Sequence, residues 1–176
     1  MEVIDKIRER SGELNKKVVF AESLDSRIQR ASAELAGSRI CDVGLVGEEA
    51  RVKKEAEKND IALPDSIEYY TFPDYSRREE LIDNLADRMS HKGVSKDEAS
   101  NILEDPLYFA AGLVAIGEAD AAVAGSQNAT ADVIRAAIRN IGLRENREVL
   151  SSTFLMVLRD GRVLTYADCG VVPYPG

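Results

Sequence analysis

One stretch, residues 119–135, constrains the fold of this 176-residue chain more than any other. It begins with an almost uninterrupted apolar run that ends at Ala124. Such a run is typical of a parallel strand covered on both faces, since a half-exposed strand would alternate with polar residues. A short polar loop and a helical pattern follow. The segment therefore predicts a strand, a loop and a helix within an α/β domain.

The loop after this strand, residues 125–128, is a candidate ligand site. In α/β sheets, ligands usually bind at the carboxyl ends of the strands. Thr130 or Asn128 can cap the next helix. Free backbone N–H groups, the helix dipole and Arg135 would together suit an anion, and phosphate is the best match. The same pattern also fits an ordinary joint whose Arg135 points into solvent.

The remaining pattern predicts an α/β fold with a parallel sheet flanked by helices and an antiparallel hairpin that begins a second domain. Apolar strands at 17–21 and 41–47 flank a helix at 25–36, which indicates a βαβ unit. Near the end, two β-type segments flank Asp160-Gly161, a strong hairpin signal. We predict a first domain at 1–144 and the start of a second at 145–176. Two strands are too few for a stable domain, so either the hairpin packs on the first domain or on a partner chain, or the second domain is truncated. We expect truncation.

Composition excludes several classes of function. The net charge of -8, without a basic cluster, argues against nucleic acid as a partner. Cys41 and Cys169 lie far apart, and His91 is the one histidine, so no metal site is expected. The cysteine usage favours the cytoplasm. The charged, amphipathic N-terminal segment lacks the apolar core of a signal peptide, so we expect no secretion signal there. No apolar run is long enough to predict a membrane span.

Four stretches resemble the phosphate acetyltransferase and phosphate butyryltransferase family. They read VVFAESLDSRIQRAS, HKGVSKDEASNILEDPLYFAAGLVAIGEAD, AGSQNATADVIRAA and YADCGVVPYP. The second stretch is closer to the acetyl branch, whereas IGLRENREVLSS is closer to the butyryl branch. The resemblance covers the whole chain but only about the N-terminal half of a usual family member. It implies two α/β domains with the active cleft between them, in a homodimer.

The resemblance implies transfer of an acyl group between coenzyme A and phosphate, with coenzyme A as a substrate and no separate cofactor. Arg135 matches a family arginine that is associated with coenzyme A or phosphate, and Ser126, Asn128 and Thr130 lie on the matching loop. Asn128 replaces a histidine common in the acetyl branch. A second family arginine lies two residues before the His-Lys-Gly stretch, and here that position is Met89. Arg88 is one residue away, which on a helix turns its side chain by about 100°, so the role is not assigned to it. The family serine, arginine and aspartate most directly tied to catalysis belong to the C-terminal part, so the catalytic residues stay unknown here.

Other side chains have simpler interpretations. Glu22, Asp25 and Arg27 follow the first strand and are more readily a helix cap and a surface ion pair than ligand contacts. His91 fits a cation at a helix end, and Cys169 fits a buried thiol rather than a nucleophile. We see no convincing catalytic base. A non-catalytic module that binds acyl-CoA is therefore the alternative to an acetyltransferase, and phosphate butyryltransferase is a second one.

Overall fold

The computed structural model describes residues 2–144, 149–167 and 169. The elements in chain order are α1 (Glu2–Glu13), β1 (Lys17–Phe20), α2 (Ser26–Ser38), β2 (Asp42–Val46), α3 (Glu49–Lys58), β3 (Glu68–Tyr70), α4 (Arg78–Met89), α5 (Lys96–Leu103), α6 (Pro106–Ala115), β4 (Ala121–Val123), α7 (Thr130–Asn140), β5 (Thr153–Val157) and β6 (Val163–Ala167). None of the described helices has the length and apolar character that crossing a bilayer requires.

The first four strands form one parallel sheet in the order β3-β2-β1-β4. β1 is central, with Val18 opposite Val43 of β2 on one side and Ala121 of β4 on the other. β2 pairs with β3 in the same direction. The chain thus starts in the middle of the sheet, builds outward to β3, and returns to the other side of β1. The predicted parallel α/β architecture is confirmed.

Helices cover both faces of the sheet. Neighbouring residues of β1 point to opposite sides of the sheet, so each of them packs against a different layer of helices. Val19 belongs to a core that α4, α5, α6 and α7 complete, with Leu85 and Phe109 fully buried in it. Phe20 belongs to a second core, formed with β2, α2 and α3, in which Leu45 is fully buried. Both layers of helices are therefore anchored to the central strand.

β4 differs from its prediction. We expected a strand covered on both faces, yet β4 is the edge strand and its three residues are exposed. Val123 keeps 43% of its surface in solvent. The apolar run predicted burial, but the run is mostly alanine, whose small side chain fits an edge as well as a core. Only Ala119, just before the strand, is buried.

Several helices begin with a side-chain cap. Asp25 accepts the backbone N–H of Arg27 at the start of α2. Ser95 and Glu98 form a reciprocal capping box on α5. Asp105 caps α6, whose first residue is Pro106. These caps satisfy N–H groups that have no partner inside the helix.

Gly44 in β2 allows a tyrosine to lie across the sheet. A Cβ at this position would be 2.7 Å from Cε2 of Tyr70 and 2.9 Å from Cγ1 of Val19. The Tyr70 hydroxyl donates to Glu68 and accepts from Nζ of Lys17 at 3.0 Å. Because these hydrogen bonds fix the hydroxyl end of the ring, the ring cannot easily move away from a methyl group at position 44.

The hairpin that the sequence predicts is present. β5 and β6 pair antiparallel, from Thr153 opposite Ala167 to Val157 opposite Val163. Gly161 in the connecting turn has φ +86°, in the left-handed region that glycine adopts readily. The proposed domain junction includes residues 145–148, which lie outside the described residues, so the domain boundary stays a prediction.

Candidate functional site

Two loops leave the sheet side by side at its carboxyl edge. β1 and β4 are parallel neighbours with Phe20 opposite Val123, and the N–H of Ala21 extends their pairing by donating to Val123. A cavity of about 300 Å³ opens here. It is lined by the residues that follow β1 and β2, by the start of α6, and by Gln127 and Asn128. The predicted ligand loop therefore lies at the expected edge of the sheet.

The carboxylate of Glu22 fills the concave side of this loop. One oxygen, Oε2, accepts the N–H of Gly125 at 2.9 Å and both the N–H and the hydroxyl of Ser126 at 2.7 Å. The other, Oε1, accepts the N–H of Gln127 at 2.9 Å and both the N–H and the Nδ2 amide of Asn128 at 2.8 Å. Six donors thus surround one buried carboxylate.

This arrangement corrects the expectation of free N–H groups in the loop. The four consecutive N–H groups do converge on an anion, but the anion is a side chain of the same protein. Burial alone would raise the pKa of Glu22, but the hydrogen bonds from Ser126, Gln127 and Asn128 outweigh burial and lower this pKa to about 2. Glu22 is therefore ionised at neutral pH, and both of its oxygens are occupied by loop donors.

Asp25 and Arg27 support the loop from the other side. Nη2 of Arg27 donates to Oδ2 of Asp25 at 2.5 Å and to the carbonyl oxygen of Ser126 at 2.6 Å. The hydrogen bond from Arg27 lowers the pKa of Asp25, although burial opposes it. For Asp25 the interpretation as a cap and ion pair is confirmed. For Glu22 it is wrong, because its partners are the loop donors.

The start of α7 also differs from its prediction. Neither Asn128 nor Thr130 caps the helix: the N-cap is Ala129, which supplies no side-chain hydrogen bond. The Asn128 amide is directed to Glu22, and Thr130 is already the first helical residue. The amino end of α7 therefore keeps N–H groups that a side chain does not satisfy, next to the exposed Thr130.

Arg135 lies on α7 and keeps half of its side chain exposed. Its Nη1 contacts Oδ1 of Asp132 at 2.5 Å, one turn earlier on the helix. An exposed pair of this kind is weak, so it leaves the guanidinium free to exchange partners. Of the four predicted binding residues, Ser126 and Asn128 use their side chains on Glu22, whereas Thr130 and Arg135 remain exposed.

Four further side chains from the sequence analysis lie outside loop 125–128. Met89 is buried in the core, and the guanidinium of Arg88 lies where a Cβ of Gly142 would be. His91 is exposed in a short 3-10 turn after α4. Cys169 is a free thiol at the base of the hairpin, and it is half-buried where the sequence predicted full burial. No trio of residues suited to holding a metal ion occurs in the part of the chain that the structure describes.

Sequence reasoning missed two features of the site. It did not connect Glu22 with the loop, because about a hundred residues separate them. It also missed Arg51 of α3, an exposed cation that lines the cavity. Its only sequence signal is its place shortly after β2, at the same edge of the sheet.

Known proteins match both the sequence and the fold. The phosphate acetyltransferase of Corynebacterium glutamicum is 35% identical over 158 residues, which are 90% of this chain and 47% of that protein. The phosphate acetyltransferase of Acetivibrio thermocellus is 31% identical over 99% of this chain and 53% of its own length. The chain thus spans about half the length of these curated relatives.

Two solved structures share the fold. The EutD phosphotransacetylase from Staphylococcus aureus has a TM-score of 0.88 at 22% identity, covering 99% of this chain and 52% of that one. A phosphotransacetylase from Streptococcus pyogenes has a TM-score of 0.86 at 26% identity, covering 96% and 51%. The sequence profile described as phosphate acetyl/butaryl transferase matches residues 2–176. The chain belongs to the phosphate acetyl/butaryl transferase family.

Proposed function

We propose that this chain contributes the coenzyme A and phosphate side of a phosphate acetyltransferase. The reaction transfers acetyl between coenzyme A and phosphate, and it requires no further cofactor because coenzyme A is itself a substrate. The family match and the acetyltransferase relatives support the acetyl group. The resemblance implies a homodimer, with a serine, an arginine and an aspartate of the family's C-terminal part as the catalytic residues. The cysteine usage favours the cytoplasm.

One observation carries the assignment of the binding site. The loop after β4 is held by Glu22 so that the uncapped amino end of α7, Thr130 and Arg135 remain exposed at the carboxyl edge of the sheet. Helix N–H groups and an arginine are the donors that phosphate groups prefer. Arg51 adds a second cation at the nearby cavity. Coenzyme A and phosphate are both phosphate-bearing ligands, and both fit this set of donors.

The test measures binding and turnover separately. Titration calorimetry with coenzyme A compares the wild type, Arg135→Ala and Arg30→Ala, a control that removes an exposed arginine from α2. We expect Arg135→Ala to weaken binding by about tenfold or more, since a charged hydrogen bond is lost, while the control binds normally. Equal binding by all three proteins would remove Arg135 from the site.

Turnover is assayed with the complete gene product, acetyl-CoA and phosphate. Formation of acetyl phosphate is expected, and no turnover by a folded protein that binds coenzyme A would favour the second candidate, a non-catalytic acyl-CoA-binding module. One observation favours that candidate. The two buried carboxylates of the loops, Glu22 and Asp25, both accept hydrogen bonds that lower their pKa, which makes them weak bases. Butyryl-CoA as the better substrate would instead indicate a phosphate butyryltransferase.

A further inference from the structure

The conformation of loop 125–128 depends on an anion. Four consecutive backbone N–H groups point toward one place, and like dipoles arranged in this way repel each other unless a negative group lies between them. Glu22 provides that negative group from the end of β1. Gly125 has φ +107°, a left-handed conformation that allows the chain to curve around the carboxylate.

Two side-chain donors make the match with a carboxylate specific. The hydroxyl of Ser126 and the Nδ2 amide of Asn128 each bind a different oxygen of Glu22. Each oxygen therefore has three donors. A glutamine at position 22 would replace one of these oxygens by an NH2 group, which would face three donors and accept none of their hydrogen bonds. Glutamine therefore cannot replace this acceptor.

The loop has a second contact with the residues after β1. Arg27, fixed by Asp25, donates to the carbonyl oxygen of Ser126 at 2.6 Å. The loop is thus bound through its N–H groups by a carboxylate and through one carbonyl by a guanidinium. α7 begins two residues after Asn128, so the direction of its amino end follows from this loop.

We propose that Glu22 is a positioning residue for ligand binding. By holding loop 125–128, it aims the amino end of α7, Thr130 and Arg135 at the phosphate groups of the ligand. It also occupies the loop N–H groups, and so an external anion is directed to the helix end. The inference rests on the function proposed above, and Glu22 acts through the loop without touching the reacting atoms.

The first experiment follows the loop itself and needs no activity. Hydrogen exchange of the peptide that covers residues 121–130 is compared among the wild type, Glu22→Gln and Glu57→Gln, an exposed control on α3. In Glu22→Gln we expect exchange in this peptide to be at least about tenfold faster, because two of the four protected N–H groups then face an NH2 group instead of an acceptor and the loop opens more often. The peptide that covers β1 should exchange as in the wild type. Unchanged exchange at 121–130 would overturn the proposal.

The second experiment measures kinetics on the complete gene product. We expect Glu22→Gln to raise KM for coenzyme A by about tenfold while kcat changes less than about threefold, as for a loss of binding that is uniform between ground and transition states. A faster loop exchange with an unchanged KM would overturn the positioning role. If Glu22→Gln does not fold, Arg27→Ala removes the second contact from an exposed side chain, and it should raise loop exchange and KM to a smaller extent.

These readouts separate the two proposals. The positioning role is supported when Glu22→Gln speeds up hydrogen exchange in the loop and weakens coenzyme A binding in titration. If no acetyl phosphate forms in that case, only the proposed reaction fails. Turnover by the wild type with unchanged loop exchange and unchanged KM in Glu22→Gln keeps the reaction and refutes the role of Glu22.

Discussion

The substitution Glu22→Gln should destabilise the protein in a way that depends on pH. The pKa of Glu22 falls from its ordinary 4.5 to about 2 in the folded state. Each pKa unit corresponds to 1.36 kcal/mol, so the folded protein favours the charged carboxylate by about 3 kcal/mol. Because the folded pKa lies below the unfolded one, this stabilisation is complete above pH 4.5 and is lost as the pH falls toward 2.

Urea denaturation at pH 7, 5 and 3 measures the effect. We expect Glu22→Gln to lower the free energy of unfolding by about 3 kcal/mol at pH 7 and by much less at pH 3, where wild-type Glu22 has begun to lose the same contribution. The control Glu57→Gln on the exposed face of α3 should stay within about 0.5 kcal/mol of the wild type. A loss in Glu22→Gln that is equal at all three pH values, or under about 0.5 kcal/mol at pH 7, would refute the reasoning.

Three other substitutions test separate parts of the structure. Asp132→Asn removes the helical partner of Arg135 and should tighten coenzyme A binding by about two- to threefold in calorimetry, since the pair is exposed and weak; weaker binding would contradict this. Gly44→Ala places a methyl group 2.7 Å from Tyr70 and should cost about 1–3 kcal/mol in urea denaturation, and wild-type stability would show that the ring moves freely. Ser95→Ala breaks the capping box of α5 and should cost about 1 kcal/mol, measurable as a lower Tm, with an unchanged Tm as the opposite result.

Much of the fold could be predicted because its signals are local. Asp105 followed by Pro106 fixes the start of α6, and Ser95 with Glu98 fixes the start of α5, through contacts within three residues. The hairpin is likewise encoded by Asp160-Gly161. For these elements the chemistry that stabilises the structure lies within the same short stretch of sequence that predicts it.

The candidate site was predicted only in part because its decisive contact is distant. The polar loop and Arg135 could be placed at the carboxyl edge from sequence, since that follows from any strand, loop and helix in a parallel sheet. That β4 lies beside β1, and so brings Glu22 to the loop, depends on the order of the strands. The alanine-rich β4 also lacked a signal that distinguishes an edge strand from a central one.

The pairing of β1 with β4 has a consequence for folding during synthesis. β1 can pair with β2, and β2 with β3, once about seventy residues have left the ribosome. Val18 pairs with Ala121, and that residue is made about fifty residues later. Until then one edge of the central strand is unpaired, and Glu22 has a charge but no donors. Long-range pairing of this kind is slow and leaves strand edges open to other chains. We therefore expect the nascent chain to be most prone to aggregation in the interval before β4 is made, and the ligand loop to be the last part of the sheet edge to order.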